Sequence, residues 1–144
     1  MTFQSIAGPR FLPGVFIATA LVCGCAGSGA NAGAESWLRG EAILEEPAPM
    51  PRDAQLIVRL VDVTRANLTA PLLGEVRINN PVKPPFEFAI RYDPAGVDPA
   101  SRYALEAEIR VAGRLMMRSI ERVPVLNGSD EKPTVVMAQV AARA

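Results

Sequence analysis

The chain has 144 residues, with 15 basic and 15 acidic side chains, two cysteines and no histidine. The balanced charge excludes the basic surplus of a typical nucleic-acid-binding domain, and the lack of histidine removes the commonest general base and metal ligand. Both cysteines, Cys23 and Cys25, lie near the N-terminus, so the rest of the chain holds neither a disulfide nor a cysteine metal site.

The N-terminus carries the pattern of an export signal. An apolar run from Phe11 to Val22 follows Arg10 and precedes a tract of small residues, an order typical of secretory signals. The run is shorter than the ~20 apolar residues that cross a bilayer. We therefore predict that residues 1–24 are a signal peptide.

The end of this signal resembles the processing site of bacterial lipoproteins. That site has an aliphatic residue three positions before a cysteine and a small residue directly before it, and Val22 and Gly24 fill these places ahead of Cys25. Cys23 departs from the pattern, because a small or β-branched residue is commoner there. We predict cleavage after Gly24 and lipidation of Cys25. Plain secretion with a free thiol and an uncleaved anchor stay as alternatives.

Residues 25–36 are mostly Gly, Ala, Ser and Asn and are predicted to form a flexible tether that reaches roughly 18 Å from the anchor. Residues 37–144 then form a single domain. Turn-forming clusters interrupt this domain at short, even intervals, which favours an all-β fold. We predict an antiparallel β-sandwich of about seven strands. The predicted strands are Trp37–Leu44, Ala54–Val63, Leu73–Ile78, Phe86–Tyr92, Tyr103–Val111, Leu115–Ile120 and Thr134–Val140.

Two strands show clear alternation of apolar and polar residues, Phe86–Tyr92 and Tyr103–Val111. A helix over Ala104–Arg122 is the alternative, because this segment is rich in helix-forming residues. Gly113 in its middle favours a β-hairpin. A three-residue loop, Ala112–Arg114, would place Val111 opposite Leu115, Ile109 opposite Met117 and Glu108 opposite Arg118. A two-residue Ala112-Gly113 loop would instead turn Arg114 and Arg118 towards the core, which is unfavourable.

The remaining conspicuous residues are interpreted as structural. Ile57, Val61 and Val63 on the second face of their strand indicate a central strand, covered there by the Thr64–Pro71 connection. Asp62, Asp93 and Asp98 are expected to form turns with nearby backbone amides and not a metal site. Tyr103 is expected to donate or accept a hydrogen bond at a tyrosine corner, and Trp37 to lie in the core. No catalytic residue and no cofactor site are predicted.

Several short patterns in this order resemble the YbaY/YscW family of small bacterial lipoproteins, which includes pilotins of type III secretion. The patterns are Gly40-Glu41-Ala42, Ala54-x-Leu56-x-Val58-x-Leu60 with Asp62-Val63-Thr64-Arg65-Ala66, Pro84-Pro85-Phe86-Glu87-Phe88 leading to Tyr92-Asp93, Tyr103-Ala104-Leu105-x-Ala107-x-Ile109 with Gly113-x-Leu115, and Pro124-Val125-Leu126.

This resemblance implies a compact β-sandwich that is held at a bacterial membrane by lipid and has no catalytic residues. The hypothesis is a non-enzymatic envelope protein that binds or assists another envelope component. Its anchor would hold it at the outer membrane, facing the periplasm, because Ala26 is not the Asp that retains lipoproteins at the inner membrane of enterobacteria. Two alternatives are a pilotin for an outer-membrane secretin and a periplasmic small-ligand-binding sandwich.

Overall fold

A computed structural model describes residues 34–65, 69–128 and 132–141. These ranges form eight β-strands and a short 3₁₀ helix at Pro94–Gly96, which confirms the all-β class. The strands are β1 (Ser36–Leu44), β2 (Ala54–Asp62), β3 (Leu72–Asn79), β4 (Phe86–Tyr92), β5 (Tyr103–Val111), β6 (Arg114–Ser119), β7 (Val123–Val125) and β8 (Thr134–Gln139). Within the described ranges, no helix has both the length and the apolar character needed to cross a bilayer.

The strands form one barrel-like sheet, so the prediction of a sandwich is wrong. The strand order is β3-β2-β5-β6-β8-β1-β4, and β7 pairs with β5 beside this path. The parallel pairing of β1 with β8 joins the first and last strands. Alternating apolar residues show which face of a strand is buried, but they are the same in a curled sheet and in two packed sheets. The architecture therefore depends on strand pairing, which the alternation did not reveal.

The barrel is nearly closed because its terminal strands, β3 and β4, approach each other at Gly74. A Cβ atom added to Gly74 would lie 2.5 Å from the backbone oxygen of Arg91 and 2.6 Å from Cγ2 of Ile90. Only a residue without a side chain permits this approach. Gly74 thus brings the edge of β3 against β4 at one point of the seam.

Inward-facing apolar side chains from all eight strands fill the interior, and those of β3, Leu73, Val76 and Ile78, are partly buried against the core. The central strands β2 and β5 contribute the fully buried Leu56, Val58, Leu60, Leu105 and Ile109. The surrounding strands contribute Ala42, Phe86, Phe88, Ile90, Met117, Val125, Val135 and Met137. β5 pairs with β2 along its whole length, so these two strands form the back of the core.

The sequence did not predict β7, which spans only Val123–Val125 and contains Pro124. It pairs with the first residues of β5, Tyr103 to Leu105. The last residues of β5 pair with β6. Because a strand of this length shows no alternation and proline is rare in ladders, only the tertiary structure reveals it.

The β5–β6 segment is a hairpin and not a helix, as predicted, but its turn differs from the prediction. Ala112 and Gly113 both have positive φ angles, 47° and 78°, which is the signature of a two-residue type I′ turn. Val111 therefore pairs with Arg114, and Arg110 pairs with Leu115. The predicted Val111–Leu115 pair, and with it the inward position of Leu115, is wrong.

A β-bulge then restores the predicted register further along the hairpin. The register shifts between Ile109 and Arg110, which leaves Met116 as an extra residue on β6. Beyond it, Ile109 pairs with Met117 and Glu108 pairs with Arg118, as predicted. A two-residue turn was expected to turn Arg118 towards the core. The bulge prevents this, because the extra residue shifts the register so that Met117 is buried and Arg118 stays exposed.

The strand directions define two ends of the barrel. At the first end β1 begins and β4 finishes, since Ser36 pairs with Tyr92, and β2 finishes beside the start of β5, since Asp62 pairs with Tyr103. We call this the N-terminal end. The opposite end, where β1, β5 and β8 finish and the Ala112-Gly113 turn lies, is called the hairpin end.

Candidate functional site

The lipidation site at Cys25 and the cleavage site after Gly24 lie outside the described residues. Both stay as predictions. Residues 25–33 of the predicted tether also lie outside them, and the first described strand begins at Ser36. The candidate sites that the structure describes are therefore surfaces of the domain itself.

The three aspartates form turns, as predicted. One carboxylate oxygen of each accepts the amide hydrogen two residues on, at 2.8 Å, and the pairs are Asp62 with Thr64, Asp93 with Ala95, and Asp98 with Ala100. A further hydrogen bond from the Thr64 hydroxyl to Asp62 lowers the pKa of this carboxyl below its ordinary value. Across the described part of the chain, no three acidic or thiol side chains gather as metal ligands would.

The structure agrees with the position predicted for Tyr103 and disagrees with the position predicted for Trp37. Tyr103 is buried, and its hydroxyl accepts a hydrogen bond from the amide of Asp98 at 2.7 Å, which confirms the predicted tyrosine corner. Trp37 is 56% exposed, so its predicted place in the core is wrong. It lies on the outer face of β1 because Leu38, Gly40 and Ala42 take the inward positions there.

An ion-pair network crosses the outer face of β3, β2 and β5. Arg59 contacts Glu75 at 2.8 Å and Glu108 at 3.0 Å. Each glutamate also pairs along its own strand, Glu75 with Arg77 at 2.6 Å and Glu108 with Arg110 at 2.9 Å. The network joins the three strands, and its three arginines and two glutamates are all paired within it.

The network shifts the pKa values of Arg59, Glu75 and Glu108. Hydrogen bonds from Arg77 and Arg59 lower the pKa of Glu75, and those from Arg110 and Arg59 lower the pKa of Glu108. Burial opposes a charge on Arg59, yet its two carboxylate partners raise its pKa overall. All three groups stay charged at neutral pH and are satisfied by one another. We interpret the network as structural.

The network also flanks the buried outer face of β2. Ile57 points outward but is buried, and in register it lies between Arg77 and Glu108. Val61 is also buried and pairs with Leu72 and Ala104. These positions confirm that β2 is central. Residues 66–68 of the connection expected to cover this face lie outside the described residues, so that expectation is untested.

A wide apolar groove lies at the hairpin end of the barrel. Its volume is about 940 Å³, near the upper limit of typical ligand pockets. It runs between the β5–β6 hairpin, the end of β8 and the segment that follows β1. The lining residues are Ala48, Pro49, Val111, Ala112, Arg114, Leu115, Met116, Met117, Gln139, Val140 and Ala141. Among these described residues, only Arg114 is charged.

The bulge in β6 gives the groove its apolar floor. Met117 is buried in the core, Met116 is partly buried against it, and Leu115 on the outer face is 36% exposed. The backbone oxygen of Met116 accepts a hydrogen bond from the amide of Val140 at 2.9 Å, which fixes the end of β8 beside the bulge. Methionine side chains are flexible and polarisable and therefore suit surfaces that adapt to apolar partners.

Besides a cavity of about 420 Å³ beside the Asp62 and Asp98 turns, two smaller cavities of the described chain are weaker candidates. One, of about 350 Å³, lies beside Arg59, Glu108 and Arg122, whose charges are already paired. The other, of about 360 Å³, lies beside β7 and includes Val63 and Pro124, and it is large enough for a side chain or two. The groove is the larger apolar surface, and we treat it as the candidate site.

The sequence contains one feature that indicates this groove and that does not fit a strictly alternating strand. Leu115, Met116 and Met117 are three consecutive apolar residues, so a strictly alternating strand would expose at least one of them. Such a run beside a tight turn is compatible with a bulge. The contribution of Ala48, Pro49 and Val140 could not be predicted, because these residues are remote in sequence.

Comparison with known proteins identifies the family. Residues 34–137 match the family model described as "Type III secretion system lipoprotein chaperone (YscW)". The chain belongs to the YscW family. The matched residues include all of the first seven strands and most of β8. The family match therefore covers the barrel and the β5–β6 hairpin that forms one side of the groove.

One curated relative and one solved structure are also similar to this chain. The chain is 29% identical over 102 residues to "Uncharacterized lipoprotein YbaY" of Escherichia coli, a match that covers 70% of this chain and 54% of the relative. The chain thus spans about half the length of that relative. The solved structure, of an alternative pilotin from the type II secretion system of Vibrio cholerae, matches with a TM-score of 0.69. At 22% identity, covering 75% of this chain and 99% of that one, it supports the fold.

Proposed function

We propose that this YscW-family protein is a lipid-anchored, non-enzymatic envelope protein that assists the assembly of another envelope component. The groove at the hairpin end carries the proposal. It presents exposed apolar side chains, Leu115 and Val140 among them, on a surface with the dimensions to accept an apolar face of a partner segment. Such a surface is expected of a chaperone that shields apolar segments before assembly.

The described interior favours binding at the surface of the domain and not at an internal ligand site. Inward side chains such as Leu56, Leu105 and Ile109 are completely buried, so the positions that would line an internal pocket are occupied. Most carboxylates near the smaller cavities are paired or form turns. Together with the absence of histidine from the sequence, this supports a function without catalysis.

The family description and the pilotin fold favour a secretin as the partner within this proposal. A pilotin would hold an apolar segment of the secretin and, through its own lipid anchor, bring it to the outer membrane. Arg114 at the rim of the groove would pair with an acidic group of such a segment. A YbaY-like role with a different envelope partner is the second candidate.

The groove is tested by a charge placed inside it. Leu115→Glu should abolish capture of the partner when the anchored protein is isolated from native envelopes, because a carboxylate in an apolar interface is costly to bury. Val82→Glu is the matched control, since Val82 is 88% exposed and lies outside the groove. Mass spectrometry of the captured proteins shows whether the partner is a secretin. Equal capture by both variants would contradict a binding role for the groove.

The anchor is tested separately. The mature protein should begin at Cys25 and carry lipid there, because Val22 and Gly24 fill the places of a lipoprotein processing site. Cys25→Ser should remove the lipid and release the protein from the membrane or trap its precursor, since stable attachment needs more than one acyl chain. Mass spectrometry of the N-terminal peptide is the measurement. An intact Met1, or an unmodified Cys25 in the soluble periplasmic fraction, would contradict lipidation.

A further inference from the structure

Two large apolar side chains are exposed at the N-terminal end of the barrel. Trp37 lies at the start of β1 and Leu72 at the start of β3, and each is 56% exposed. Both strands start at this end, so both side chains lie at the opposite end of the barrel from the groove. The groove therefore does not account for them.

Basic side chains flank Trp37 on the outer face of the barrel. Arg39 lies two residues further along the same face of β1, and Arg91 is the cross-strand partner of Trp37 on β4. Arg91 is 61% exposed, and its Nη1 atom lies 3.1 Å from a carboxylate oxygen of Glu35. Tryptophan is enriched at the level of the lipid headgroups, where its apolar ring and polar N–H are both accommodated, and neighbouring arginines can pair with phosphate there.

The chain that precedes Trp37 indicates which surface this is. The described structure begins at Ala34, and the tether predicted to lead back to Cys25 would reach roughly 18 Å. A lipid on Cys25 would therefore hold the N-terminal end of the barrel close to the bilayer. The hairpin end, with its groove, would point away from the membrane.

We propose that Trp37, supported by Leu72 and by Arg39 and Arg91, docks the N-terminal end of the barrel on the phospholipid surface. This inference rests on the proposed lipid anchor. The indole would lie at the level of the headgroups, and the guanidinium groups would donate hydrogen bonds to phosphate oxygens. Docking at this end fixes the orientation of the protein and presents the groove to the aqueous side.

Trp37 is the one tryptophan of the sequence, so its fluorescence reports this contact directly. The mature chain, residues 25–144, is coupled at Cys25 to a maleimide-bearing phospholipid in vesicles of phosphatidylcholine and phosphatidylglycerol. Part of the phosphatidylcholine is brominated in its acyl chains. We expect brominated lipid to quench Trp37 strongly, and aqueous iodide to quench it less than it does without vesicles.

A second variant moves the reporter to the other end. In Trp37→Phe/Val82→Trp the tryptophan lies in the β3–β4 connection at the hairpin end, where Val82 is 88% exposed. Brominated lipid should leave this reporter unquenched, whereas iodide should quench it fully. Quenching of Trp37 alone supports the docked orientation.

The inference would be overturned by equal lipid quenching of the two reporters, or by Trp37 that responds to iodide and not to brominated lipid. A blue-shifted emission that depends on protein concentration and not on vesicles would assign Trp37 to a contact between copies of the chain and would also overturn it. Chemical coupling makes this result independent of processing in the cell. Failure of natural lipidation at Cys25 would then contradict the proposed anchor and not the docking surface.

Discussion

Ile109→Ala should lower the free energy of unfolding by roughly 2–5 kcal/mol, because it leaves a cavity at a fully buried position. Leu115→Ala should change it by less than about 1 kcal/mol, because Leu115 lies on the outer face and is 36% exposed. The contrast follows from the bulge at Met116, which separates the register of the turn from the register of the core. Urea-induced unfolding of the purified protein gives both values.

The matched pair of substitutions distinguishes the two hairpin registers. A three-residue loop would place Leu115 inward beside Ile109, and the two truncations would then cost similar amounts. A large loss with Leu115→Ala would contradict the type I′ turn and the bulge. It would also remove Leu115 from the groove, so this measurement checks the geometry on which the candidate site depends.

Gly74→Ala should destabilise the protein by about 1–3 kcal/mol, an amount typical of overpacking. The new Cβ would lie 2.5 Å from the backbone oxygen of Arg91, and relief requires β3 and β4 to move apart. The same substitution at Gly96 is the control, because a Cβ added there meets no atom within 4 Å. Gly96→Ala should stay within about 0.5 kcal/mol of the unsubstituted protein.

Thermal or urea unfolding of the two glycine variants compares them directly. Equal stability of Gly74→Ala and Gly96→Ala would contradict close contact between β3 and β4, and with it the near closure of the barrel. A large difference, in contrast, is specific to this seam, since both substitutions add one methyl group to the chain.

Several features could be predicted from the sequence because they are local. The alternation of Phe86–Tyr92 and Tyr103–Val111 predicted both strands with the bounds that the structure has. The turns at Asp62, Asp93 and Asp98 follow from short side chains that reach their own backbone. The family resemblance rests on such local patterns, and the match over residues 34–137 confirms it.

The candidate site was less accessible to sequence reasoning. Strict alternation placed Leu115 in the core, and the groove became evident only when the bulge put it on the surface beside Val140. Trp37 was expected in the core because large aromatic side chains usually contribute there. Its actual face is set by the register of β1 with β4, in which Gly40 pairs with Phe88 and both point inward.

The sequence by itself determined the all-β class, the central strands, the hairpin and the turn chemistry, because each depends on a few neighbouring residues. The tertiary structure decided the barrel instead of a sandwich, the short β7, the bulge at Met116 and the groove. These features depend on which strand edges meet: the parallel pairing of β1 with β8, the contact of Gly74 with β4 and the place of Val140 beside Met116. Such pairings join residues far apart in the chain, and the alternation within a strand carries no information about its neighbours.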